Sequence, residues 1–464
     1  MSSLSSRGQL NWVSGKRKWK SLNLNDKKNA NMKKSIFVKS TLAALVLSSM
    51  SAMAADQDFE MHGYAKSGLL LNSDGNRSNS LGLFTNYGKF RLGNEQNTKI
   101  ELLPTMKFTT DSGTWAKFRA NLTHETNCTA DWNCTDADGH DAQFREGYVE
   151  MGNLPFAPDA VFWAGKRYSS SNTSNHQYDW EYVQYNGTGG GVDKIDVGFA
   201  KMDVGLYAFM PSDRNNEAPV DDAQQGYPDD LSLNLWLKGI AGTGLDLQFV
   251  AHKMNEHSWH AGAAEDGIGL TAMYNFDGFY GITGGYSRIV AQYGQGLAAG
   301  DSLGKNGWGF ANTEDTTSSR IVFDGLANVA QNWEVSTFAF YQTDSDYAPW
   351  SDWSSPSTKG SDRNIWAVGV RPHNQITENF AMQYEVGYEY IDEKKDGGAE
   401  GGLFKATIAP TIMLETGFWA RPQIRVFATY AQWDDDAAAK LDSGYTRDGA
   451  TDVLNFGVQA EVWF

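Results

Sequence analysis

His252, His257 and His260 fall within nine residues and are the most enzyme-like signal in the chain. Imidazole is a common zinc ligand, yet only the last two have the three-residue spacing that sets both on one helix face. Scattered loop histidines give the same pattern, so no metal is assigned. Cys128 and Cys134 are the two cysteines, with His124 and His140 nearby. In an exported chain this spacing suits a loop-closing disulfide, with zinc as the alternative. Asp434, Asp435 and Asp436 supply the paired carboxylates that a glycosidase would need, although acidic loops supply such pairs without catalysis. Gly187, Gly189, Gly190 and Gly191 are followed by no Gly-Lys-Ser/Thr and read as a tight turn rather than a phosphate cradle. No catalytic residue and no cofactor follows from any of these.

The elements that would position such residues begin after an export signal. Met32-Lys33-Lys34 opens a positive stretch, Leu42 to Leu47 is apolar, and Ser51-Ala52-Met53-Ala54 offers a small-x-small cleavage site. Residues 1–54 are therefore read as an N-terminal extension plus signal peptide, with the signal core at 32–54, and residues 55–464 as one domain. Without residues 1–54 the chain keeps 29 Lys/Arg against 55 Asp/Glu, a formal charge of −26. Such a surface repels nucleic acid.

No later stretch approaches the roughly 20 apolar residues of a membrane-spanning helix. Short alternating segments recur instead. Leu231, Leu233, Leu235 and Leu237 alternate with Ser232, Asn234, Trp236 and Lys238, and Met382, Tyr384, Val386, Tyr388 and Tyr390 alternate with Gln383, Glu385, Gly387 and Glu389. A soluble sandwich and a transmembrane barrel share this period, but connection lengths separate them, because outer-membrane barrels alternate long outside loops with short periplasmic turns. Long polar connections are read near 72–88, 121–143, 167–180, 210–230, 252–267, 287–317, 343–363, 391–401 and 433–452. Short turns fall near 111–113, 152–159, 187–194, 241–244, 277–278, 327–332, 373–378 and 415–417. The expectation is an all-β, antiparallel transmembrane barrel of about eighteen strands, ending on the alternating segment Gln459 to Phe464 with its terminal aromatic. The 13% aromatic content suits the ring girdles of such a barrel.

Several segments resemble the maltoporin family of sugar-specific porins. His62-Gly63-Tyr64-Ala65-Lys66-Ser67-Gly68 is similar to that family's first strand and Lys89-Phe90-Arg91-Leu92-Gly93-Asn94-Glu95 to its second. Phe144-Arg145-Glu146, Phe162 to Arg167, Ile195 to Phe199 and Arg421 to Tyr430 follow in the family's order, so that the similarity runs from about residue 58 to the end. The resemblance implies a homotrimer in the outer membrane whose bore carries a track of aromatic rings flanked by ionisable groups. Aromatic faces stack on the C–H face of a pyranose while charged groups bond its hydroxyls, and weak repeated contacts let a chain slide.

Carried over by resemblance, the aromatic slide comprises Tyr64, Trp132, Phe279, Trp419 and Trp463; a lipid-interface girdle is the alternative for each ring. The polar track and constriction comprise Lys66, Arg91, Lys99, Glu101, Arg145, Asp179, Trp180, Glu181 and Tyr182. Lys66 replaces an arginine usual in the family, keeping charge but losing two-pronged bonding. Lys99 falls where the family has a slide tyrosine, so one rung is missing. Trp132, inside the Cys128 to Cys134 loop, would latch over a neighbouring subunit. The expected function is facilitated diffusion of maltose, maltodextrins or related oligosaccharides with passive ion conduction, without enzymatic activity or nucleic-acid partner. A general diffusion porin without a sugar site, and a secreted glycosidase, are the alternatives.

Overall fold

The computed structural model describes residues 56–84, 87–127, 142–169, 174–209, 230–254, 263–348, 360–395, 397–441, 445 and 449–464. The signal segment, Cys128, Trp132, Cys134, His140, His257 and His260 lie outside these residues.

Twenty strands follow in chain order. The first ten are β1 (Asp56–Asn72), β2 (Thr98–Thr109), β3 (Trp115–Thr126), β4 (Gln143–Leu154), β5 (Ala157–Ser169), β6 (Ser174–Asn175), β7 (Trp180–Glu181), β8 (Tyr185–Asp196), β9 (Lys201–Phe209) and β10 (Asp230–Lys238). The rest are β11 (Leu245–Lys253), β12 (Asp266–Phe279), β13 (Thr283–Gly296), β14 (Thr317–Ala330), β15 (Trp333–Tyr347), β16 (Ser361–Thr377), β17 (Phe380–Glu393), β18 (Glu400–Met413), β19 (Gln423–Trp433) and β20 (Asp452–Trp463). Eighteen of them form one sheet, and β6 pairs only with β7. Each barrel strand runs antiparallel to its neighbours, and β1 closes the ring on β20 with Tyr64 opposite Trp463. Closure removes the unpaired strand edges that a hydrocarbon environment could not satisfy.

The alternation sorts side chains as a membrane barrel requires. In β10 Leu231 and Leu233 are each 43% exposed, whereas Ser232 between them is fully buried. In β17 Gln383, Glu385 and Glu389 point inward and are buried while Val386 faces out. Outward Leu247, Phe249, Ile268, Leu270, Ile321 and Phe323 continue the apolar belt around the wall. Such a belt exposed on a closed barrel is the surface that lipid covers. No helix among the described residues is long and apolar enough to cross a membrane.

Eight long connections and seven short turns alternate as expected, but the expected long loop at 391–401 is only residues 394–399, the expected turn at 415–417 spans 414–422, and three further local readings are corrected. Gly187 to Gly191 form no turn: they belong to β8, and the turn follows at 197–200. Their lack of a side chain has a reason, since a Cβ on Gly189 would lie 1.8 Å from the Leu206 carbonyl oxygen and one on Gly191 2.3 Å from that of Val204. β13 continues to Gly296, ten residues into the segment read as a loop, because its inward side is polar or glycine (Gln292, Gly294, Gly296) and is covered by chain folded inside the barrel. Lys89 to Glu95 are not a strand. That stretch lies inside, its backbone bonded by other partners: Lys89 N–H to Tyr178 O, Arg91 N–H to Gln177 O and Leu92 N–H to Glu385 Oε1.

Three segments thus fill part of the interior: 78–84 with 87–97, 174–184 and 297–316. Leu81, Leu83, Phe90, Tyr178, Trp180 and Tyr182 pack on inward Phe338, Phe340, Ile365 and Ala367 of β15 and β16. Tyr178 stacks on Phe338 with centroids 4.6 Å apart. Phe90 sits on the paired glycines Gly369 and Gly387, where a Cβ would come within 2.1 and 2.3 Å of its ring. Arg320 holds two of the segments together by donating to the carbonyls of Tyr182 and Leu303. The open bore is left against β1–β5 and β8–β10.

Candidate functional site: a charged bore with an aromatic edge

Among the described residues, two adjoining chambers of about 700 and 560 Å³ lie in the open bore. Each has the size of small-ligand pockets, about 300–1,000 Å³. They share Arg119, Glu146 and Tyr168 on their walls. The larger one collects Tyr64, Lys66, Arg91, Lys99, Glu101, Arg145, Asp179, Trp180, Glu181, Trp419 and Trp463, eleven of the residues singled out in the sequence.

Its aromatic edge is built where the barrel closes. Tyr64 and Trp463 face each other across the β1–β20 seam. Trp419 stands 6.3 Å from Trp463, centroid to centroid, and is 40% exposed. It belongs to the short turn before β19, so strand parity does not orient it. His176, from the inward 174–184 segment, meets both indoles at 5.5 and 5.7 Å. The Arg421 guanidinium lies 4.1 Å over the Trp463 ring. The Tyr64 hydroxyl donates to Glu461 (3.0 Å) and accepts from Arg91 (2.9 Å).

Ionisable groups continue from these rings. Glu461 accepts from Arg91, Arg421 and Arg425 at 2.8, 2.8 and 2.7 Å. Glu95 takes Arg91 at 2.9 Å and is also in contact with Lys66. Lys99 Nζ is 3.0 Å from Glu101, and Arg145 reaches the same carboxylate at 3.3 Å. The Arg145 guanidinium also lies 4.5 Å over the Tyr168 ring, whose hydroxyl donates to Glu181. Asp179 receives Lys89 at 3.5 Å and Arg91 at 4.0 Å. Its backbone, at φ 50, is in the left-handed region that an aspartate tolerates better than most residues.

In the inward segments the surroundings set protonation. Burial and then Arg91 hold the His176 imidazole well below its usual value, so the ring stays neutral. Burial would raise the Asp179 carboxyl, but Arg91 and Lys89 outweigh it and hold it low. Burial and Arg320 push the Lys305 ammonium down to about 8.

Two expected residues lie elsewhere. Tyr182 does not line the bore: in the extended run after Asp179 its ring turns toward β14, is fully buried, and its hydroxyl donates to Asp324 at 2.5 Å. Phe279 ends β12 against Tyr280, centroids 4.8 Å apart, and lines neither chamber. Trp180 has only an edge on the larger chamber, being 3% exposed and packed on Tyr87, Phe340 and the Arg320 guanidinium. His252 lies on the inner face of β11, 3.0 Å from Asp230, which also accepts from Gly307 N–H. Asp434 caps the Gly402 amide while Asp435 and Asp436 are exposed.

Sequence reading missed Tyr87, Lys89, Arg119, Tyr168, His176 and Lys305, all on the larger chamber. Arg119 shares a strand face with inward Asn121 and could have been found by alternation, whereas Tyr168 directly follows inward Arg167, so alternation would have set it outward. The others ride on inward segments that have no period to read.

The chain matches the family described as LamB porin over residues 59–464. Among solved structures, the outer membrane protein opdK from Pseudomonas aeruginosa is similar at 8% identity, with 88% of this chain and 98% of that one covered and a TM-score of 0.47. OccAB1 of Acinetobacter baumannii follows at 10% identity, 88% and 97% coverage and a TM-score of 0.48. OmpT of Vibrio cholerae does so at 11%, 88% and 99%, with a TM-score of 0.39. These likenesses are too remote to inform the bore, and the assignment rests on the family match. With a closed eighteen-strand barrel, an apolar outer belt and a polar bore, the chain belongs to the LamB porin family of outer-membrane channels.

Proposed function

We propose that this porin is a sugar-selective channel that lets maltose, maltodextrins or related oligosaccharides diffuse down their gradient and conducts ions passively. The observation that carries the reading is the juxtaposition of Trp419, Trp463 and Tyr64 with hydrogen-bonding charges on one chamber wall. A pyranose laid on the indoles would have Arg91, Lys66 and Glu101 within the same chamber for its hydroxyl belt. The short-turn end would face the periplasm and the long connections the medium. A homotrimer, with Trp132 latching over a neighbour, export through the residue 32–54 signal and a Cys128 to Cys134 bridge belong to the same proposal. Tyr64, Trp419 and Trp463 serve as slide rings, and Lys66, Arg91, Lys99, Glu101, Arg145, Asp179 and Glu181 as the polar track.

The reading is tested by liposome swelling with a series of maltose, maltodextrins, sucrose and β-glucosides. A sugar channel gives rates that saturate with concentration and depart from the order set by size. Rates that fall with solute size alone would make the chain a general diffusion porin.

A further inference from the structure

The bore and the rest of the chain carry opposite charge. The larger chamber is lined by seven Lys/Arg and five Asp/Glu. The smaller is lined by five and three. Arg119 and Glu146 lie on both walls, so the described lining totals eleven cations against seven carboxylates, an excess of four positive charges. Including the buried Glu95 and Glu461 behind the wall, together with the Arg421 and Arg425 that hold Glu461, leaves that excess unchanged. By contrast the connections at 127–142 and 210–229 contain nine Asp/Glu and one Arg.

Three carboxylates in and just behind the wall are, moreover, each engaged by two cations, while Glu125 and Glu181 are held by Asn97 and by the Tyr168 hydroxyl. Glu101 is shared by Lys99 and Arg145, Asp179 by Lys89 and Arg91, and Glu95 by Lys66 and Arg91. Arg119 reaches Glu146 only at 3.5 Å, and its buried Nε has no hydrogen-bond partner. A cation entering this space meets no uncommitted carboxylate among these three, while an anion meets guanidinium and ammonium donors that are only half neutralised. A bore with low-dielectric walls concentrates the field of such an excess.

We infer that the bore selects anions, and that the preferred saccharide is one bearing carboxylate groups, its rings on the Trp419 and Trp463 edge and its carboxylates at the Lys99, Arg145 and Arg119 rung. The saccharide half of this inference rests on the sugar-channel reading; the ion selectivity does not. Arginine favours carboxylates because its planar fork meets both oxygens. Lys99, which removes an aromatic rung expected for neutral glucans, supplies a cation at the same place.

The test is the reversal potential of the native porin in a planar bilayer under a KCl gradient near 0.1 M, with current block by trigalacturonate and by maltotriose at pH 7. Chloride should permeate at least about threefold better than potassium, since fields of this kind enrich counter-ions by about tenfold or more before screening. Trigalacturonate should half-block at a concentration at least about threefold below that of maltotriose. Lys99→Gln with Lys238→Gln, which introduces no buried carboxylate, removes half the excess and should lower the chloride preference. A potassium preference in the native porin, or maltotriose blocking as well as trigalacturonate, would overturn the inference while leaving the sugar-channel reading standing. Chloride preference with block by neither sugar would overturn the saccharide assignment and the sugar-channel reading together.

Discussion

Replacing Lys99 by tyrosine restores the missing rung and gives a quantity that can be worked out. Lys99 pairs with Glu101 at 3.0 Å and its side chain is 22% exposed, so the pair is partly solvated and its loss costs about 1 kcal/mol or less. Glu101 is not stranded, because Arg145 remains 3.3 Å away. A ring at this position adds one stacking face for a pyranose, worth about 1 kcal/mol in the range seen for aromatic contacts. At about 1.4 kcal/mol per factor of ten, Lys99→Tyr should lower the half-blocking concentration of maltohexaose about fivefold. The assay is titration of the current across a planar bilayer. Lys99→Met removes the charge without a sugar-stacking ring and should leave the value within about twofold of the native porin. A tyrosine variant that binds no better than the methionine one would refute the missing-rung reasoning.

Other perturbations address the scaffold and its charges. Gly387→Val should drive Phe90 off its glycine pair, where a Cβ would come within 2.3 Å of the ring, and release residues 87–97; faster proteolysis within that stretch and altered conductance would show it. Glu385→Ala leaves Arg371 and Lys405 buried without their carboxylate partner, 2.7 Å from each, and should cost about 3–5 kcal/mol in urea unfolding from micelles. Lys305, held down to about 8 by burial and Arg320, carries its charge below that pH and loses it above. The ratio of chloride to potassium permeability should therefore fall between pH 7 and 9, and Lys305→Met should remove that step. Reduction of the purified chain should add the mass of two hydrogens if Cys128 and Cys134 are bridged.

Legibility followed periodicity. Ser232 between Leu231 and Leu233, or Glu385 between Tyr384 and Val386, announces its face because lipid tolerates only apolar side chains outside. Strand number and the alternation of long and short connections follow from the same rule. Lys89 to Glu95 defeated it, since polar residues that alternate inside a barrel can be satisfied by Gln177, Tyr178 and Glu385 without any ladder. Gly187 to Gly191 mislead in the other direction: a run of glycines suggests a turn where close strand approach demands glycine. The resemblance located Tyr64, Trp419 and Trp463, which composition could not, because a girdle ring and a bore ring are the same residue type. His176 and Lys305 reach the bore only through long-range folding of their segments, and nothing local marks them.

The most direct measurement is the single-channel current of the purified native porin as maltohexaose is added to one side. A sugar channel gives brief, reversible closures whose frequency rises with concentration until the current saturates toward block. A current that stays ohmic and uninterrupted up to high concentrations of maltohexaose, trigalacturonate and sucrose alike would contradict a sugar site in this bore.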